Sequence, residues 1–151
     1  MCVGVGVGVG VQTADVLVSD VAGEKYDMIA LPGGMPGAEH LSNNATLTRM
    51  LLEQKTAHRW IAAICASPAV VLAKHGILTP DTPATCYPGM TSKLPNVSTS
   101  GAPCVVSGRI ITSRGPGTAM LYGLQCVSCL MGKDAAHSVA EGMLVDDSVL
   151  V

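Results

Sequence analysis

The chemistry-bearing residue that stands out is Cys65, in Ala63-Ile64-Cys65-Ala66-Ser67-Pro68. It lies between a continuous apolar run, Trp60 to Ile64, and a segment of helical composition that starts at Pro68 and stops at Gly76. The residues two before and two after it, Ala63 and Ser67, are small. A nucleophile elbow needs that composition, because the tight strand-to-helix turn crowds the flanking residues while pushing the nucleophile out at the top of the sheet. A helix N-terminus beneath Cys65 would add unpaired N–H groups and a positive dipole end, both of which favour thiolate over thiol. The competing fate is a buried structural thiol, the commonest one for a free cysteine, and local spacing leaves the two evenly matched.

Two further segments could complete such a site. In Leu31-Pro32-Gly33-Gly34 an apolar run ends in two glycines, whose backbone N–H groups can turn toward a neighbouring strand end. Ligands of α/β proteins sit at the carboxyl ends of strands, so Gly34 and Cys65 can meet there. The N–H groups of Gly34 and Ala66 would then form an oxyanion hole. Taken alone, Pro-Gly-Gly is a turn. Thr112-Ser113-Arg114-Gly115-Pro116-Gly117-Thr118 opens a long helical pattern, where the helix N-terminus and the Arg114 fork could hold a carboxylate or phosphate; a plain loop with Thr118 as N-cap fits equally.

Other groupings weigh less. Cys126-Val127-Ser128-Cys129 has redox-motif spacing but lies late in a helix, where core packing outranks thiol chemistry. His40, His58, His75 and His137 have no paired metal-ligand spacing, so no metal is expected. No nucleotide-binding glycine pattern occurs in the opening Val-Gly tract, and Gly132-Lys133 is followed by Asp. Met50, Met120 and Met131 fall on helical stripes and are expected in the core.

These residues must be positioned by elements that the pattern also supplies. Asp15-Val16-Leu17-Val18, Tyr26 to Leu31 and Trp60 to Ile64 read as strands, Ala84-Thr85-Cys86-Tyr87 as a further one, and Val105 to Ile111 as two strands about a tight Ser-Gly turn. Asn44 to Lys55 carries apolar residues at helical spacing, with Ser42 or Asn43 as caps. Thr118 to Met131 is the strongest helical pattern, with Met120, Leu121, Leu124, Val127 and Met131 on one stripe and Gly132 as its stop. Strands alternating with helices predict an α/β protein with a mostly parallel sheet covered on both faces.

The 151 residues suggest one domain, 1–151, with 1–11 a low-complexity Val-Gly segment. Nine Lys+Arg against eleven Asp+Glu give a net charge of −2, which provides no basic surface for tracking a nucleic acid. With 3% aromatics, stacking platforms are unsupported. The 48% apolar content can build a core without disulfide staples, and the opening apolar run has no basic leader and is too short to span a bilayer. A cytoplasmic, reducing setting is therefore expected.

Together, Tyr26 to Gly34, Ile61 to Pro68 and Thr112 to Thr118 resemble the signature blocks of the ThiJ/PfpI superfamily, nearest its Parkinsonism-associated deglycase (DJ-one) branch. The blocks run in order from about residue 11 to residue 145. The resemblance implies a flavodoxin-like three-layer sandwich of the class I glutamine amidotransferase type, usually a homodimer, with Cys65 as the reactive cysteine and Gly34 and Ala66 as oxyanion donors. It implies cofactor-free conversion of methylglyoxal to lactate or repair of glyoxal adducts, and also oxidation sensing and chaperone-like behaviour. Family members carry a leading strand and helix with a glutamate bonded to that cysteine. No such unit is recognisable here, which predicts an N-terminally truncated fold and weakened turnover. Tyr87 stands where some relatives have His, and can orient or donate but is a poor base near neutral pH. Arg114 is the expected substrate-binding cation. Three readings remain: a weakened enzyme acting on a small aldehyde, a non-catalytic oxidation sensor or chaperone, and an inactive copy.

Overall fold

A computed structural model describes residues 14–146. Four strands form one sheet in the order β1-β2-β4-β3: β1 (Met28–Leu31), β2 (Trp60–Ile64), β3 (Cys104–Ser107) and β4 (Ile110–Ser113). The first three in that spatial order are mutually parallel, and β3 folds back antiparallel on β4 as a hairpin closed by Gly108-Arg109. Gly108 has φ 58°, the left-handed conformation such a two-residue turn demands. Helices α1 (Gly37–Ser42), α2 (Ala45–Thr56), α3 (Ala119–Met131) and α4 (Lys133–Met143) complete the fold, with a π-helical turn at Pro68–Ala73.

β2 is buried through Ile61, Ala62, Ala63 and Ile64, as a parallel strand covered on both sides must be. Alternate residues divide between the faces. Ile61 and Ala63 join Leu47 and Leu51 of α2 and Val71 and Leu72 of the π turn in the main core. On the opposite face α3 packs across β2, β3 and β4, and α4 packs on α3 through buried Ala136 and Ala140. The expected α/β fold with a mostly parallel sheet between helical layers is the one observed.

A buried glutamine joins these layers. Gln54, 1% exposed, donates from Nε2 to the carbonyls of Tyr26 at 2.8 Å and Trp60 at 3.1 Å, and its Oε1 accepts from Arg59 Nε at 2.7 Å. It thereby closes the entries to β1 and β2 with one side chain. Arg59 is the neighbour of Trp60, whose ring lies under the Arg109 guanidinium at 4.7 Å.

Several expectations fail. Asp15 to Val18 is not a strand: residues 18–23 are turns, Val16 is 58% exposed, and only Val18 packs on the core. Three apolar residues after an aspartate, without a hydrogen-bonded neighbour, do not make a strand. Ala84 to Tyr87 makes only an isolated bridge, Ala84 with Val97, because prolines flank it and the Thr85 N–H is taken by Thr112 Oγ1. The cap of α2 is Asn44, whose side chain accepts from the Leu47 N–H at 2.9 Å; Ser42 is buried in α1 and Asn43 ends that helix. On α3, Leu124, Gln125 and Ser128 are buried, whereas Met120 and Met131 face outward at 57% and 74% exposure. Met50 is in the core as expected. Helices α1 and α4 were not anticipated: the first is six residues long, and α4 buries only the small Ala136 and Ala140 while Val139 and Met143 are exposed. The Val-Gly tract lies outside the described residues, and among those described no helix is long and apolar enough to cross a membrane.

Gln54→Ala leaves the Tyr26 and Trp60 carbonyls without their donor and opens a cavity, so it is expected to cost about 2–4 kcal/mol in chemical denaturation.

Candidate functional site

Cys65 follows directly on β2 and adopts φ 63°. For a residue with a Cβ this left-handed conformation is strained and persists only where its surroundings impose it. Two backbone bonds do so. The Cys65 N–H donates to the Ser113 carbonyl at the end of β4 at 3.0 Å, and the Cys65 carbonyl accepts the Tyr87 N–H at 2.9 Å. From β1's side, Gly33 closes in: a Cβ there would overlap the Cys65 Cβ and stand 3.2 Å from its Sγ. Ser67 Oγ, fully buried, donates to the Pro32 carbonyl and ties the loop after β1 to the elbow.

The structure therefore brings Gly33-Gly34, Cys65-Ala66 and Tyr87 to one end of the sheet. Gly34 has φ 85°, and its carbonyl accepts from Ala38 N at 2.9 Å at the start of α1. Ala66 is buried and its carbonyl accepts from Ala69 and Val70, starting the π turn. Among the described residues no group takes the N–H of Gly34 or of Ala66. Tyr87 is 48% exposed, its ring 3.7 Å from where a Gly115 Cβ would stand, so it spans from the elbow to the loop after β4.

Arg114 is exposed and borders a cavity of about 320 Å³ together with Thr85, Cys86, Pro88 and Val105; Cys65 is not in that lining. The segment before α3 satisfies itself. Thr112 and Ser113 belong to β4, the Gly115 N–H donates to Thr118 Oγ1 at 3.1 Å, and Thr118 N–H returns to the Gly115 carbonyl at 2.9 Å. Thr118 occupies the N-cap position of α3 without a side-chain cap bond.

Sequence reasoning passed over four contributors: Gly33 as the backing of the thiol, Ser67 as the tie to Pro32, Ser113 as the acceptor for Cys65, and Cys86 as its neighbour. Their signal was polar or minimal side chains at the ends of apolar strands. The five described cysteines are all free thiols. Burial, and next to it the charge of Cys65, push the Cys86 thiol up to about 11. Burial, with Cys129 and Cys104 nearby, pushes Cys126 up to about 12; burial also raises Cys104 and, strongly, the Tyr122 hydroxyl. Tyr122 Oη is buried without a hydrogen-bond partner. No cluster of three His, Cys, Asp or Glu among the described residues could hold a metal.

A strained cysteine at a strand-to-helix elbow, backed by glycine and mounted on a parallel sheet with helices on both faces, defines the class: an α/β protein of the nucleophile-elbow type. Its family follows from comparison with known proteins, since residues 8–129 match the model of the DJ-1/PfpI family. The chain belongs to that family. It is 42% identical over 130 residues to Protein DJ-1 homolog B of Arabidopsis thaliana, covering 85% of this chain and 30% of that protein. It is 36% identical over 131 residues to the glutathione-independent glyoxalase DJR-1.2 of Caenorhabditis elegans, covering 83% of this chain and 66% of that one. The chain thus spans less than a third of the Arabidopsis protein's length. Among solved structures, oxidized Toxoplasma gondii DJ-1 superposes with TM-score 0.85 at 42% identity, over 89% of this chain and 72% of that one. Drosophila melanogaster DJ-1beta gives 0.84 at 36% identity, over 91% and 74%. These likenesses bear out the flavodoxin-like fold.

With their pKa values raised, Cys86 and Cys126 hold roughly 10⁻³ and 10⁻⁴ of their thiols ionised at pH 8. Cys65 is expected to be alkylated ahead of them in brief iodoacetamide labelling read by mass spectrometry; first reaction at Cys126 or Cys129 would remove the elbow as the reactive position. The same raised thiols stabilise the fold fully below about pH 9, their ordinary value, and lose that contribution as pH climbs toward 11–12. Denaturation midpoints should fall across that window.

Proposed function

We propose that this chain is a cofactor-free, cysteine-dependent glyoxalase or deglycase acting on methylglyoxal-type α-oxoaldehydes or their adducts. The observation that carries the reading is Cys65 at φ 63° at the end of β2, pressed against Gly33. Its support from relatives is family membership and the glyoxalase named among them.

The Cys65 thiolate attacks the aldehyde carbon, and the carbonyl electron pair moves to oxygen, where the unclaimed N–H groups of Gly34 and Ala66 receive the developing charge. Protonation of that oxygen yields a hemithioacetal. Transfer of the proton on the former aldehyde carbon to its neighbour, through an enediol, converts it to a thioester of lactate. Water then attacks the thioester carbon, the C–S bond breaks, and lactate leaves with Cys65 restored. Tyr87 orients the substrate at the neck between the two loops, and Arg114 is the cation available to the product carboxylate. Among the described residues no carboxylate hydrogen-bonds the Cys65 thiol, and our reading is of an enzyme whose proton transfers are slowed for want of such a base.

A second reading is favoured by the same two unclaimed N–H groups: a non-catalytic oxidation sensor, in which they would hold an oxidised Cys65 anion. As partners we propose a small aldehyde and a second copy of the chain. Met120, Leu130, Met131, Val139 and Met143 on α3 and α4, and Leu144 just beyond, are exposed apolar residues suited to self-association. The free thiols fit a cytoplasmic location.

Lactate formation from methylglyoxal by the purified chain tests the first reading. Activity is expected on the order of 10²–10⁴-fold below a site with a positioned general base, and none in Cys65→Ser. Lactate formation unchanged in Cys65→Ser would end the cysteine mechanism; no lactate from either form, with Cys65 oxidised by peroxide, would favour the sensor. Light scattering at micromolar concentration should report a dimer, and a stable monomer would count against self-association.

A further inference from the structure

Cys86 is a nucleophile that the proposed reaction does not use, yet it lies beside the one that does. The Tyr87 N–H bonds the Cys65 carbonyl at 2.9 Å, so bond lengths alone keep the Cα atoms of residues 86 and 65 within about 8 Å. The span of a disulfide, about 4.4–6.8 Å between Cα atoms, lies inside that bound. Cys86 is 1% exposed and its thiol donates to the Tyr87 carbonyl at 3.3 Å. Its ionisation is opposed by burial and then by the charge of Cys65. Cys126, by contrast, feels Cys129 and Cys104. Cys86 is thus the described thiol whose environment includes Cys65.

We propose that Cys86 is the resolving thiol of Cys65, closing an internal Cys65–Cys86 disulfide after a hydroperoxide oxidises the elbow cysteine. The proposal rests on the reading of Cys65 as the reactive residue. In the first step the Cys65 thiolate attacks the peroxide, the O–O bond breaks, an alcohol or water leaves, and Cys65 becomes a sulfenic acid, oxidised by two electrons. In the second, the Cys86 sulfur attacks the Cys65 sulfur, the S–S bond forms as the S–O bond breaks, and hydroxide leaves as water with the Cys86 proton. Sulfenic acid is neutral, so the first step removes the Cys65 charge that opposes Cys86 ionisation, while the burial contribution stays. At 1% exposure Cys86 offers bulk oxidant far less thiol surface than the partly exposed Cys65, so oxidation begins at Cys65. The bridge withdraws Cys65 from its place over Gly33, halts turnover, and blocks oxidation to sulfinate; two equivalents of a small thiol reverse it.

The test uses the full chain, reduced, desalted and treated with equimolar hydrogen peroxide. Peptide mapping without reductant should find the Cys65 and Cys86 peptides joined, about 2 Da lighter than their sum and separated by dithiothreitol. In Cys86→Val and Cys86→Ser the joined species is lost, while dimedone trapping of Cys65 and its sulfinate rise several-fold. Mapping of the unsubstituted chain needs neither variant to fold. Cys65 sulfinate without any joined peptide, or Cys65 joined to a different cysteine, would overturn the proposal while Cys65-dependent lactate formation leaves the enzyme reading intact. Cys65 inert to both peroxide and iodoacetamide would overturn both.

Discussion

The backbone of Cys65 carries the rest of the site. A left-handed residue with a Cβ costs on the order of 1–3 kcal/mol, and the surrounding fold must supply it. Here the restraint comes from three directions: the Ser113 carbonyl of β4, the Tyr87 N–H, and Gly33 from the loop after β1. Each belongs to a different stretch of chain. The elbow is therefore a consequence of β1, β2 and β4 being parallel and adjacent, since only that order brings the ends of all three to one place. Gly33 can be no other residue, because any Cβ would collide with the Cys65 side chain and with the Ile64 carbonyl at 2.9 Å.

Small polar side chains do the joining. Ser67 reaches the Pro32 carbonyl, Thr112 receives the Thr85 N–H, and Ser113 Oγ donates to Pro103 while meeting Thr118 Oγ1 at 2.7 Å. All three are buried. They pair with the backbone of loops that would otherwise leave polar groups unsatisfied in the interior, a debt every loop packed over a strand end must meet. Gln54 performs the same task at the opposite end, where β1 and β2 begin. Both ends of the central strand are thereby held by side chains on helices or neighbouring strands.

The thiols divide into two environments. Cys104 and Cys126 lie near Tyr122, with Cys129 beside Cys126, and burial holds Cys104 and Cys126 protonated. Cys65 and Cys86 flank the Tyr87–Cys65 backbone bond at the elbow, one partly exposed and one enclosed. The Cys-x-x-Cys spacing on α3, read as packing rather than redox chemistry, belongs to residues whose reactivity burial suppresses at Cys126; helical spacing says which residues share a face and nothing about what that face packs against.

Much of this was legible in the sequence for a local reason. Small residues flanking Cys65, glycines after an apolar run, and strands alternating with helical patterns each record a constraint that neighbours in the chain impose on one another. The hairpin at Gly108 and the helix ending at Gly132 were readable likewise. What the sequence alone could not decide was partnership across the chain. Ala84 to Tyr87 has strand composition but spends the Thr85 and Tyr87 N–H groups on Thr112 and Cys65, and Asp15 to Val18 has no strand beside it. Met120 and Met131 match a helical stripe, yet the face that α3 buries is the one that packs on β4 and α4. Gly33 and Cys86 acquire their roles only when residues 32 and 21 positions from Cys65 fold back onto it, a distance in sequence that no local pattern encodes and that the parallel sheet closes.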